Sequence, residues 1–149
     1  MTATAHAVVG GAIAAGTPLP ISLPLALTSH FLMDLVPHWD FGTHFKNRPR
    51  YISTILAALD VLFGFALVYF VFGSYVSPVN LWLTVLVSQL PDWIGAPNLF
   101  FNLKLKPAEA VLNFQRRFHG RLDLPWGIVT QLFLIVPLLT SAPPSVLAK

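Results

Sequence analysis

The sequence predicts an all-α integral membrane protein with a single domain over residues 1–149. Three observations support this prediction: 55% of the residues are hydrophobic, only 10% are charged, and residues 51–72 form a nearly continuous apolar run. Soluble domains carry about 25% charged residues, so the chain lacks the polar surface that such a domain needs. At about 1.5 Å per residue, residues 51–72 are long enough to cross a hydrocarbon core of about 30 Å as a helix.

The first four helices are predicted from apolar runs and from the prolines and glycines between them. Residues 5–16 and 21–36 are apolar and are separated by a proline-rich turn, which predicts two helices and a tight connection. Both are short for a membrane span, so they form either two full crossings or a re-entrant hairpin. Residues 51–72 form the longest span, and residues 78–93 form a fourth helix that we expect to end before Gly95-Ala96-Pro97.

Two further helices complete the predicted bundle. Residues 107–118 begin with a proline in the first turn and carry apolar side chains beside the basic Arg116 and Arg117. This pattern predicts an amphipathic helix that lies at the membrane interface. Residues 124–140 form the last apolar helix. The sequence therefore predicts about five membrane helices and one interfacial helix.

Basic residues are concentrated in the loops 38–50 and 95–123, and the order of the helices places both loops on one face of the membrane. Because cytoplasmic loops are enriched in Lys and Arg, we expect the N-terminus on the cytoplasmic side and the C-terminus on the opposite side. The net charge of +3 includes no long basic run, which argues against nucleic acid as a partner.

The chain contains no cysteine, which excludes disulfides, thiolate metal sites and cysteine nucleophiles. It also lacks a phosphate-binding glycine loop and the Gly-x-Ser-x-Gly motif of serine hydrolases. Any bound metal must therefore be held by imidazole and carboxylate groups. These ligands suit zinc first, and also manganese, iron or magnesium.

Residues 29–40 place two histidines and two aspartates in apolar sequence. Ionisable groups in apolar surroundings cost several kcal/mol unless they are paired or bind a metal. His30 and Asp34 are four residues apart, so both side chains lie on one helix face, where they can share an ion or bond each other. The predicted topology brings more histidines and aspartates to the same end of the bundle. The predicted ligands of one or two divalent metals are His6, His30, Asp34, His38, Asp60, Asp92 and His119.

These residue types favour hydrolysis of a phosphoester in an amphiphilic substrate. A divalent metal lowers the pKa of water towards about 7 and so supplies a nucleophile at neutral pH. The predicted general base is a spare carboxylate, either Asp40 or Asp123. The predicted phosphate clamp is Arg116, Arg117 or Arg121. Simple solvation is the alternative for Asp40, His44 and Asp123.

Three short motifs resemble the small integral-membrane metal-dependent hydrolases of the LexA-binding inner-membrane type. They are residues 5–11 with His6, Ser29-His30-Phe31-Leu32-Met33-Asp34, and Leu90-Pro91-Asp92-Trp93. The resemblance implies a hydrolase of the bacterial inner membrane and, through that family's likeness to zinc-dependent phospholipase C, a zinc ion and a lipid-like substrate. Here the Ser-His-x-x-x-Asp motif precedes the Leu-Pro-Asp motif. The family's His-Arg-Gly-x-Thr-His-Ser element is represented by residues 119–123, which lack its second histidine.

The residues also allow a non-enzymatic protein. In a small transporter subunit, Asp34 and Asp60 would bind or relay protons or cations. In a packing or assembly subunit of a larger complex, the His–Asp pair would be a polar clamp between helices. Membrane lipids are expected partners in each case, and a homo-oligomer or a larger membrane complex is the expected assembly.

Overall fold

The computed structural model describes residues 1–41, 43 and 48–141, and these residues form six α-helices and no regular strand. The prediction of an all-α fold is confirmed. The helices are α1 (Ala3–Gly16), α2 (Leu19–Leu35), α3 (Arg50–Phe72), α4 (Pro78–Phe101), α5 (Lys106–Gln115) and α6 (Trp126–Thr140).

Helix α1 lies at the centre and packs against α2, α3, α4 and α6. Small residues let its neighbours approach closely. A Cβ atom added at Gly10 would lie 2.8 Å from Ser88 Oγ of α4, and one added at Gly64 of α3 would lie 2.9 Å from Thr4 Cα of α1. Ala5, which is buried, continues this packing surface. The N-terminal half of α1 is therefore enclosed on several sides, and His6 is enclosed with it.

The predicted end of α4 at residue 93 is wrong, because the helix continues through Gly95 and Pro97 to Phe101. A proline inside a helix removes one hydrogen bond, but tertiary packing can outweigh that cost. Gly95 supplies such packing, since a Cβ atom there would meet the Leu112 side chain of α5 at 2.7 Å. Asn102 caps the helix, with a left-handed φ of 56° and an N–H that donates to the Pro97 carbonyl oxygen.

The other helix boundaries lie within two residues of prediction, except that α5 ends at Gln115 and not at residue 118. Among the described residues, α3 alone is long and apolar enough to cross a membrane. Helices α1, α2 and α6 are apolar but have only 14, 17 and 15 residues.

Candidate metal centre

The carboxylate of Asp34, in the last turn of α2, is the centre of a cluster of four histidines. It is buried, and its Oδ1 lies 3.3 Å from His6 Nε2 and 3.7 Å from His38 Nε2. Its Oδ2 lies 3.6 Å from His30 Nε2 and 4.0 Å from His119 Nδ1. Imidazole nitrogens therefore face both oxygens of a single carboxylate.

Within the part of the chain that the structure describes, the cluster divides into two groups of three residues that could each hold a metal ion, and Asp34 belongs to both. Within each group the ligating atoms all lie within 4.8 Å of one another. The groups are His6, His30 and Asp34, and Asp34, His38 and His119. A further aspartate lies beside each group. Asp92 Oδ1 is 3.7 Å from His30 Nε2, and Asp40 Oδ2 is 3.2 Å from His119 Nε2.

Backbone carbonyl groups fix the tautomers of His30 and His38. His30 Nδ1 lies 2.8 Å from the Ser88 carbonyl oxygen, and His38 Nδ1 lies 2.7 Å from the Val36 carbonyl oxygen. Because a carbonyl oxygen only accepts, Nδ1 carries the proton in both rings and Nε2 is the acceptor nitrogen. Histidines that bind metals are usually held in this way, with the second ring nitrogen donating to a carbonyl or carboxylate.

Among the described residues of the cluster, two ring nitrogens are buried without a hydrogen-bond partner: Nε2 of His6 and Nε2 of His38. Both lie within 3.7 Å of Asp34 Oδ1. Buried polar atoms are almost always paired, so such atoms need a physical explanation. The Met1 ammonium donates to the same Asp34 Oδ1. A metal ion that took its place would give both nitrogens a partner.

Backbone pairing after α2 brings His38 and His119 together. The His38 amide donates to the Gly120 carbonyl oxygen at 3.1 Å, and the Leu122 amide donates to the His38 carbonyl oxygen at 2.9 Å. The Gly120 amide donates to the Asp34 carbonyl oxygen at 2.8 Å. Glycine is required here, because an added Cβ atom would lie 2.8 Å from the Leu35 carbonyl oxygen.

Gln115, the last residue of α5, is a member of the centre that the sequence did not indicate. Its Nε2 donates to Asp92 Oδ1 at 2.8 Å and lies 3.2 Å from His30 Nε2. Since both contacts are acceptors, the orientation of this amide is fixed, and its buried Oε1 has no hydrogen-bond partner. A neutral side chain in an amphipathic helix carries no sequence signal for such a role.

Asp60 belongs to neither group, although it was among the predicted ligands. Its Oδ2 accepts from the Ala3 amide at 2.6 Å, and its Oδ1 accepts from Thr4 Oγ1 at 2.6 Å and from the Thr4 amide at 3.3 Å. These donors form the start of α1, where free N–H groups and the helix dipole favour a carboxylate. Asp60 therefore caps α1.

The structure brings six of the seven predicted ligands together, and their role as ligands stays a prediction. Of the predicted catalytic residues, Asp40 lies beside His119, and Arg121 lines the adjoining cavity together with Arg116. Asp123 and Arg117 are exposed and line neither that cavity nor a ligand group. His44 lies outside the described residues.

A cavity of about 640 Å³ adjoins the centre, and four of the clustered side chains reach it: Asp34, Asp40, Asp92 and His119. Its walls are mainly apolar and come from α3 and α4. They include Ala57, Ala58, Val61, Leu62, Trp93, Gly95, Ala96, Leu99 and Phe100. The arrangement joins a polar, acid-rich end to a volume suited to hydrocarbon.

Burial and neighbouring charge shift the pKa values of His38 and Asp40, which follow α2. Burial lowers the pKa of His38 to about 4, and the Met1 ammonium, which contacts Asp34, adds to the shift. Burial alone would raise the pKa of Asp40. The hydrogen bond from His119 and the positive charge of Met1 outweigh burial, so the pKa of Asp40 lies well below its ordinary value. At neutral pH the pair is a neutral imidazole and a carboxylate, the forms that bind metals.

No protein-family model matches the chain, and no curated protein and no solved structure is similar to it at a significant level. The resemblance to the inner-membrane hydrolases therefore rests on the three short motifs alone.

Proposed function

We propose that the protein is a membrane-embedded hydrolase that uses two divalent metals, with zinc the first candidate, to cleave a phosphoester in an amphiphilic substrate. The observation that carries the proposal is the sharing of Asp34 by two groups of ligating atoms. The unpartnered Nε2 atoms of His6 and His38 face the same carboxylate, one from each group. A structural polar clamp would pair these nitrogens, whereas a metal centre needs their lone pairs free.

In this proposal Asp34 would supply a ligand in each of the two groups. His6, His30 and Asp92 complete one coordination group, and a second group consists of Asp34, His38, His119 and Asp40. Two metals in such a site polarise the phosphoryl oxygens and lower the pKa of water. Hydrolysis adds water across the P–O ester bond. The water oxygen joins phosphorus, and the leaving alkoxide takes up a proton.

The side chains around the centre suit the steps that precede bond cleavage. Arg121 lines the cavity and would supply positive charge for the phosphoryl oxygens. Asp40 is a poor general base because its pKa is low, so we assign it as a ligand and an anchor for His119. Asp123 and Arg117 have no role in the proposal, since neither lines the cavity.

The membrane part of the proposal rests on α3. Only 22% of its most apolar window is buried, whereas a core helix of a soluble protein is mostly buried. Leu62, Phe63 and Phe70 are each more than 60% exposed, which favours hydrocarbon as their surroundings. We propose that α3 spans a bacterial inner membrane, with the N-terminus cytoplasmic and the C-terminus on the opposite side. The amphipathic α5 would then lie at the interface.

The decisive experiment is metal analysis of the detergent-purified protein. We expect about two equivalents of zinc, manganese or iron per chain, because there are two ligand groups. The substitution Asp34→Asn should remove both ions, while His6→Ala and His38→Ala should each remove one. Glu109→Gln, an exposed acid on α5 in neither group, should keep both.

The same variants separate the proposal from its alternative. Hydrolysis of short-chain phospholipids should follow metal content and disappear in Asp34→Asn. A well-folded protein that purifies without metal, binds none on addition and cleaves no phosphoester would overturn the proposal. It would favour an ion-relaying or packing subunit, in which Asp34 carries a proton.

The absence of native cysteines makes the membrane topology directly measurable. Single cysteines at Asn102 and Thr140, in the loop after α4 and at the end of α6, should react with a membrane-impermeant thiol reagent from opposite sides. In intact spheroplasts we expect labelling of Thr140→Cys and protection of Asn102→Cys. Labelling of both from the same side contradicts the proposed topology.

A further inference from the structure

A second cavity, of about 700 Å³, lies beside the cavity of the candidate metal centre. The two cavities share Leu99, Leu112 and Arg116 in their walls. One acid, Glu109, lines the second cavity. Among the described residues, four basic side chains line it as well, and we name them the basic cradle: Arg48, Arg50, Lys104 and Arg116. Positive charge therefore predominates directly beside an acid-rich centre.

Hydrogen bonds hold the parts of the cradle that follow α4 and α5 in the chain. Asn98 donates to the Leu105 carbonyl oxygen and accepts from the Leu105 amide, both at 2.9 Å. These two bonds fasten the loop that presents Lys104. Arg116 Nη1 donates to Asn113 Oδ1 at 2.9 Å. Because these groups are positioned before any ligand binds, less conformational entropy is lost on binding.

A chain of hydrogen bonds connects the cradle to the candidate metal centre through Thr43. Arg48 Nη2 donates to the Thr43 carbonyl oxygen at 2.7 Å. The Thr43 amide and hydroxyl donate to Asp40 Oδ1 at 2.6 and 2.8 Å, and the other oxygen of Asp40 lies 3.2 Å from His119 Nε2. The spacing between the cradle and the centre is thus fixed by bonded residues.

We propose that the basic cradle binds a second anionic group of the substrate while the scissile phosphoester lies at the metal centre. This inference rests on the proposed function. It narrows the substrate class to amphiphiles with two anionic groups, such as a phospholipid whose headgroup carries a further phosphate. The apolar cavity walls take the hydrocarbon part. Arginine and lysine bind phosphate through charge-assisted hydrogen bonds.

Lys104 and Lys106 form a matched pair for testing the cradle. Both are exposed and carry the same charge two positions apart, but only Lys104 lines the cavity. The substrates are phosphatidylinositol and a phosphatidylinositol phosphate, which differ by one phosphomonoester. For the phosphorylated lipid, Lys104→Gln should raise KM by about three- to tenfold, the typical net effect of one hydrogen bond. It should leave KM for phosphatidylinositol unchanged, and Lys106→Gln should change neither value.

If Lys104→Gln and Lys106→Gln change KM equally for both lipids, the lysines act by general attraction to an anionic surface. That result would overturn the proposal that the basic cradle binds the second anionic group. Arg50→Gln provides a second variant in case Lys104→Gln folds poorly. It should reproduce the selective rise in KM.

A binding measurement separates failure of the cradle from failure of the hydrolase. The dioctanoyl form of the phosphorylated lipid is titrated into the purified protein by calorimetry. Binding that Lys104→Gln weakens selectively, without any hydrolysis, supports the cradle and overturns the proposed function. If the protein hydrolyses the lipid and the two lysine variants bind it equally well, the cradle proposal is overturned and the proposed function stands. If inorganic phosphate competes for the cradle as well as the lipid does, the cradle is a site for free phosphate. That result would overturn the inference that it binds a lipid headgroup.

Discussion

The Gly120 amide donates a hydrogen bond to the Asp34 carbonyl oxygen at 2.8 Å, and this bond fastens the loop of His119 to the residue that both ligand groups share. It couples the end of α2 to a segment 86 positions later in the chain. The second ligand group therefore depends on one close backbone approach, whereas the first group depends on helix packing.

Replacing Gly120 with alanine should separate the two ligand groups. The added Cβ atom would lie 2.8 Å from the Leu35 carbonyl oxygen and 3.2 Å from the Pro37 backbone, so the loop must move. We expect the metal content to fall from about two ions to one and the stability to fall by about 1–3 kcal/mol. Metal analysis and thermal unfolding measure these changes.

Gly16→Ala is the matched control, because no atom lies within 4 Å of a Cβ atom built at Gly16. It should keep both ions. Retention of two ions by Gly120→Ala would show that the loop is not needed for the second site.

Asp60→Asn distinguishes a capping carboxylate from a metal ligand. Asp60 accepts hydrogen bonds from Ala3 and Thr4 at the start of α1. We expect a loss of about 1–3 kcal/mol of stability, since charged acceptors make the stronger hydrogen bonds. Metal content should not change. A sharp fall in metal content at unchanged stability would restore Asp60 as a ligand.

Gln115→Leu should weaken metal binding in the first ligand group only. The Gln115 amide holds Asp92 at 2.8 Å, and loss of such a supporting bond typically costs about 10- to 100-fold in metal affinity. Competition with a chromogenic chelator should resolve one weakened ion and one unchanged ion.

Gln89→Leu serves as the comparison. Gln89 is also buried and lines the same cavity, but its amide donates to the Val85 carbonyl oxygen and not to a ligand. Equal affinity losses in the two glutamine variants would trace the effect to the cavity and not to Asp92.

The metal-free protein should lose stability as the pH falls from 6.5 to about 4. Burial holds the folded-state pKa of His38 at about 4, against 6.5 in the unfolded chain. Between these values the unfolded chain binds a proton that the folded protein does not, so acid favours unfolding. The contribution of His38 is complete above pH 6.5, and at pH 4 up to about 3 kcal/mol of it is lost.

Chemical unfolding at a series of pH values measures this loss, with His38→Gln as the comparison. The variant should show a flatter dependence on pH over the same interval. Identical curves for the two proteins would show that His38 is not shielded from water.

The six helices could be predicted from the apolar runs in the sequence. The convergence of His6, His30 and His119 could be predicted because ionisable residues are rare in such runs and point to a site. The same argument could not assign Asp60, since a carboxylate in apolar surroundings can be balanced by the start of a helix as well as by a metal. The predicted end of α4 was also too early. Proline and glycine propensities are local, whereas the packing of Gly95 against Leu112 is a tertiary contact.

Most of the apolar cavity wall comes from α3 and α4. Apart from Asp92, every member of the two ligand groups and their flanking aspartates lies elsewhere in the chain. Small wall residues such as Ala57 and Ala96 can be enlarged without touching the histidine cluster. The length of the substrate's hydrocarbon chain that the cavity prefers should then be changeable by design or by evolution, while the chemistry at Asp34 is retained. Each enlargement of a cavity-lining side chain along α3 should shorten the longest hydrocarbon tail that the protein accepts.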